Sequence, residues 1–135
     1  MRKYLDKNKK LLIYFPLIVY WIILFISTSL PLESVPSVGL SDKLMHTVAY
    51  TGLGILLYLT LMFQNKVEML KTSPAIFTFL IGMIYAGIDE LHQLLIPGRK
   101  CDFIDILADT LGIVVGLILV IIFTRIFLPD RLEKA

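Results

Sequence analysis

Charged residues leave long gaps along this chain. Leu11 to Leu30 contains no Asp, Glu, Lys or Arg, and neither does Leu44 to Phe63. Each run is about 20 residues, the length a helix needs to cross a hydrocarbon core about 30 Å thick. A third apolar block, Ala75 to Leu95, carries Asp89 and Glu90 near its end. A fourth, from about Phe103 to Phe127, carries Asp105 and Asp109 near its start. Backbone amides in lipid need partners within the segment, so the pattern predicts an all-α membrane protein, a bundle of four transmembrane helices.

The connectors carry matching punctuation. Pro31 and Pro36 keep the first connector extended, and Ser41 is placed to cap the second helix. Asn65 and Ser73-Pro74 bracket the second connector. Pro97-Gly98 predicts a tight turn, which makes the third and fourth helices antiparallel neighbours. The first block is too long for a signal-peptide core and lacks a small-residue cleavage pattern, so it is expected to stay as a helix, bent at Pro16. Ala108, Gly112 and Gly116 recur every four residues, as do Gly82 and Ala86; such spacing lets helix backbones approach closely.

Basic residues set an expected orientation. The N-terminal arm (Arg2, Lys3, Lys7, Lys9, Lys10), the second connector (Lys66, Lys71) and the C-terminal segment (Arg125, Arg131, Lys134) hold ten, against Lys43, Arg99 and Lys100 in the other two connectors. The positive-inside rule then puts both termini in the cytoplasm.

Composition narrows the class. Hydrophobic residues make up 57% of the 135, which excludes a disordered chain, and a single Cys excludes a disulfide scaffold. A dispersed net charge of +2 excludes a nucleic-acid binder. No repeat or internal boundary is visible, so residues 1–135 read as one integral membrane domain.

The polar residues are grouped as well. Seven of the eleven acidic residues, Glu33, Asp42, Asp89, Glu90, Asp102, Asp105 and Asp109, fall in the predicted outer half with both histidines, His46 and His92. At about 1.5 Å per residue, Asp89 and Asp109 each lie about 9–11 Å inside their helix ends. Four-residue spacing aligns Asp42, His46 and Tyr50 on one face, Asp89 and Gln93 on another, and Asp105 with Asp109 on the face that carries Ala108 and Gly112. Simpler roles exist for several of these. Glu33 reads as solvated. Asp42, Asp102 and Asp105 sit near helix starts, where carboxylates cap amides. Lys43, Arg99 and Lys100 can serve as interfacial anchors, His92 can face headgroups, and Cys101 is a lone surface thiol. Asp89 and Glu90 oppose the dipole at a helix end, and Asp109 is too deep to cap. An ionisable group at such depth usually marks a site.

Three strings carry a resemblance: Asp42-Lys43-x-x-His46-x-x-x-Tyr50; Asp89-Glu90-x-x-Gln93; and Pro97-Gly98-Arg99-x-x-Asp102-x-x-Asp105-x-x-x-Asp109-x-x-Gly112. In order and spacing, over about residues 40–120, they resemble the VanZ-like family of small bacterial membrane proteins. Asp109 departs from the family pattern, where Asn stands in many members. The resemblance implies a multi-pass protein of the bacterial cytoplasmic membrane, part of the cell envelope. It also implies the association with resistance to the glycopeptide teicoplanin that gives the family its name.

Two function classes fit these residues. In the first, the protein binds or remodels an anionic lipid or a lipid-linked cell-wall precursor at the outer leaflet. Its expected binding residues are Asp42, Lys43, His46, Tyr50, Asp89, Glu90, Gln93, Arg99, Asp102, Asp105 and Asp109, with Arg99 either neutralising carboxylates or gripping a phosphate. In the second, an intramembrane hydrolase or transferase acts on a lipid headgroup. Asp89, Glu90 and His46 are then its acid-base candidates, or these three with Asp109 surround a divalent metal. No H-E-x-x-H string, paired histidines on one helix or nucleophile elbow is present, so the sequence assigns no metal site and names no cofactor. A third reading has the acids only locking helices together, an inefficient glue when membrane hydrogen bonds average about 0.6 kcal/mol. Ion transport lacks a pathway, because no line of charges continues through the inner half.

Overall fold

A computed structural model of the chain describes residues 1–31 and 41–129. Glu33, Pro36, Arg131 and Lys134, which entered the expectations above, lie outside the described residues. A short helix α1 (Arg2–Lys7) precedes a π-helical turn (Lys10–Tyr14) that runs into α2 (Phe15–Ser29). Then follow α3 (Asp42–Phe63), α4 (Glu68–Thr72), α5 (Pro74–Gln93) and α6 (Phe103–Phe127). Four segments, Lys10–Ser29 and helices α3, α5 and α6, are long and apolar enough to cross a membrane. The described residues contain no strand.

Local chemistry accounts for the ends. Ser41 caps α3 by accepting from the Leu44 N–H at 3.3 Å. The turn that precedes Pro16 is π-helical, with the Phe15 N–H reaching back to the Lys10 carbonyl. Proline has no N–H to give to a carbonyl four residues back, and a wider turn ahead of it re-registers the backbone bonds. Helix α4 is not foreshadowed by the connector's composition. The Pro97-Gly98 turn forms as expected, with Gly98 at φ 79° and the Arg99 N–H donating to the Ile96 carbonyl at 3.1 Å. A positive φ at the third residue of such a turn suits glycine.

Side chains sort by environment. Ile18, Ile22 and Ile26 on α2, and Ile118, Ile122 and Ile126 on α6, are exposed, as the hydrocarbon-facing surface of a membrane bundle must be. The interior joins Leu17 and Leu24 of α2 to Tyr50, Leu53, Leu57 and Leu61 of α3, Ala86 of α5 and Ile113 of α6. The most extensive interface lies between α3 and α6. A side chain added at Gly112 would strike the backbone of Thr47 and Thr51, and one at Gly116 would strike the Thr51 carbonyl. Opposite them, Gly54 meets the Ile113 backbone, and Thr47 Oγ1 donates to the Ala108 carbonyl at 3.2 Å. The predicted small-residue seam is thus real, and α3 is its partner. Gly82 of α5 receives the Ile113 side chain.

The far end of the bundle is basic. Lys9 Nζ and Tyr14 Oη both donate to the Phe63 carbonyl, at 3.0 and 3.3 Å, satisfying the free C-terminal end of α3. Ile13, Phe63 and Leu128 pack beneath them. Asp42, Asp102, Asp105 and Asp109 occupy the opposite end, at the starts of α3 and α6.

Candidate functional site

The first turns of α3 and α6 and the last turns of α5 meet at one end of the bundle. Lys43 is the hub of the outer rim. Its ammonium donates to Asp102 Oδ2 at 2.8 Å and to Asp105 Oδ1, and lies 3.7 Å from Asp42. Asp102 also caps α6, its Oδ1 accepting from the Ile104 N–H at 2.9 Å. Capping and ion pairing therefore coexist at Asp102. Asp105 is buried and pairs with Lys43, which corrects its alternative reading as a cap. Asp42 stays exposed at the rim.

One layer deeper, His46 Nδ1 and Asp109 Oδ1 share a hydrogen bond of 2.9 Å. Glu90, with no exposed surface, accepts from Gln93 Nε2 at 3.0 Å and from the Asp102 backbone N–H at 2.9 Å. Tyr50 Oη donates to Asp89 Oδ2 at 3.3 Å. Among the described residues, no lysine or arginine pairs with Asp89, Glu90 or Asp109. The three acids that most resist a structural explanation are the three without a fixed countercharge.

Arg99 does not neutralise them. Its Nε donates to the Leu30 carbonyl at 3.0 Å, Nη2 to the Ser27 carbonyl at 3.3 Å and Nη1 to Gln93 Oε1 at 3.3 Å. Free carbonyls at the end of α2 out-compete the acids for the guanidinium because they lie beside the turn, whereas Lys43 already occupies the carboxylate rim. Arg99 is therefore a clasp between the α5–α6 turn and the end of α2. His92 stacks on Phe25, ring centroids 5.1 Å apart, rather than turning wholly to the outside. Cys101 is a free, exposed thiol, as expected.

Electrostatics at the rim give a pH signature. The hydrogen bond from Lys43, and after it that from the Ile104 N–H, hold the Asp102 carboxyl below its usual range. A depressed carboxylate contributes stability that is fully present above the ordinary value near 3.9 and fades as pH falls through the lowered one. Acid unfolding followed by circular dichroism should therefore show a steeper limb below about pH 4 in the natural chain than in Asp102→Asn. Identical limbs would show that the Lys43–Asp102 contact carries no linkage.

Sequence reasoning overlooked Tyr85, whose buried hydroxyl has no partner and whose ring lies 6.1 Å from that of Tyr50 and 5.7 Å from that of Trp21. Its position four residues before Asp89 was the available signal. The carbonyls of Ser27 and Leu30 left no signal at all, since backbone acceptors are common to every residue.

A family model described as VanZ/LLP1 matches residues 4–124, most of the chain. No curated protein and no solved structure matches it.

Proposed function

We propose a function on one premise: this chain belongs to the VanZ/LLP1 family. In this reading the polar layer binds or remodels the headgroup of an anionic lipid or a lipid-linked cell-wall precursor. It does so at the outer leaflet of the bacterial cytoplasmic membrane, with both termini in the cytoplasm. The observation that carries the reading is the buried set Asp89, Glu90 and Asp109, drawn from two helices and left without a lysine or arginine partner among the described residues, with His46 alone beside Asp109. An ionisable side chain held at membrane depth is costly and marks a functional site by default. Carboxylates and His46 accept from the hydroxyls and amines of a headgroup. Arg99 spends three of its five N–H donors on the protein, which leaves the others for a phosphate. Teicoplanin acts outside the membrane, so the resistance associated with the family fits a site on that side.

Native mass spectrometry of the purified chain, with a polyprenyl-phosphate lipid and with phosphatidylcholine, tests the reading. Selective retention of the phosphate lipid is expected, weakened about tenfold in Arg99→Ala, the scale of one charged hydrogen-bond contact. Equal retention of both lipids would remove it.

A second reading is hydrolysis or transfer at such a headgroup, favoured by the 2.9 Å His46–Asp109 hydrogen bond that a general base would use. Headgroup turnover lost in His46→Ala would support it, and turnover retained would exclude it.

A further inference from the structure

The deepest side chains of the layer come from three helices: His46 on α3, Glu90 on α5 and Asp109 on α6. One donor atom from each lies within 4.8 Å of the other two. Glu90 and Asp109 have 0% exposure, and the His46 side chain has 10%. Asp109 Oδ1 faces His46, while its Oδ2 is buried without any hydrogen-bond partner. A carboxylate oxygen left unpaired in so dry a place is costly unless a cation compensates it. The ammonium of Lys43 is held at the rim by Asp102 and Asp105.

We propose that His46, Glu90 and Asp109 bind a divalent transition-metal ion. One imidazole with two carboxylates is a mixed nitrogen and oxygen set, which suits zinc or manganese, whereas magnesium and calcium favour oxygen alone. Bond lengths of about 2.0–2.2 Å would space the ligand atoms roughly 3.3–3.6 Å apart in a tetrahedral shell. Atoms already within 4.8 Å reach that spacing by small side-chain rotations.

The surroundings fit this reading. Ligating carboxylates are normally oriented by outer hydrogen bonds, and Glu90 has two, from Gln93 Nε2 and the Asp102 N–H. Further donor atoms lie between this trio and the rim. Asp42, His46 and Asp105 form a second trio whose donor atoms lie within 4.8 Å of one another, and Asp42 is exposed. Because the trios share His46, an ion captured at the rim has a continuous ladder of ligands to the buried pair.

Three protein ligands leave a coordination position open. A phosphate oxygen of a headgroup would fill it, and that extension rests on the headgroup reading above. The metal itself does not.

Two measurements separate these claims. Tag-free full-length protein in detergent is stripped with chelator, then titrated with Zn²⁺ and, separately, Mn²⁺, with bound metal read by mass spectrometry. One equivalent of at least one ion is expected. Affinity should fall at least tenfold in Glu90→Gln and Asp109→Asn, and stay unchanged in His92→Gln, with folding checked by circular dichroism. Natural protein that takes up neither ion overturns the proposal, as does equal affinity in folded Glu90→Gln and Asp109→Asn. Retention of the polyprenyl-phosphate lipid is then compared with and without chelator. Metal bound, with lipid retained equally in chelator, keeps the metal site and removes only its role in headgroup binding. Lipid retained by a protein that binds no metal overturns the metal site and leaves the headgroup reading standing.

Discussion

Gly112→Leu is expected to separate α3 from α6 and leave a chain that no longer unfolds cooperatively in detergent. Alanine alone already sets the scale. Its Cβ would collide with the Thr47 carbonyl and stand 3.0 Å from the Thr51 nitrogen and from Tyr50 Cβ. Two of these are backbone atoms that cannot swing aside, so alanine should cost about 1–3 kcal/mol, the usual scale of overpacking, and leucine more. Gly87 is the internal control, because nothing lies within 4 Å of an added Cβ there. Alanine at 87 should be neutral or stabilise by up to about 1 kcal/mol through helix propensity. Thermal unfolding followed at the helical circular-dichroism signal checks both. A natural-like transition in Gly112→Leu would mean that the two helices do not meet along this seam.

Lys43→Ala should have the next largest effect. It strands Asp102 and Asp105, and Asp105 is almost fully buried. Removing one partner of a fully buried pair costs about 3–5 kcal/mol. The Lys43 side chain is 38% exposed, so water screens part of that, and a loss of about 2–3 kcal/mol is expected. Adding Asp105→Asn removes the stranded charge and should recover much of it. A double variant no more stable than Lys43→Ala would show that the lysine acts through packing of its stem rather than through its charge.

The legible part of this molecule is the part written in periodicity. Charge-free runs of bilayer length marked the four long helices, and the four-residue spacing of Ala108, Gly112 and Gly116 marked a packing face. Which helix fills that face was not legible. Its complement on α3 is made of Gly54 and threonine backbone rather than a matching glycine stripe. Helix spacing likewise brought Asp105 and Asp109 to the interior, and depth arithmetic put Asp109 level with Asp89. Partner choice was harder. Arg99 lies close to the acids in sequence, yet its hydrogen bonds go to carbonyls about 70 residues away, and Lys43 takes the acids instead. Side-chain type predicts charge; only the crossing of helices decides who meets whom. Helix α4 escaped for another reason: a single turn has too few residues for a period to register.

The Arg99 clasp divides labour among the helices. Every acid and imidazole of the layer resides between Asp42 and Asp109, whereas α2 brings to it backbone oxygens, the face of Phe25 and the Thr28 hydroxyl beside Asp89. Main-chain oxygens do not depend on the residue that carries them, so the side chains at 27 and 30 can be exchanged while the two acceptors that hold Arg99 stay in place.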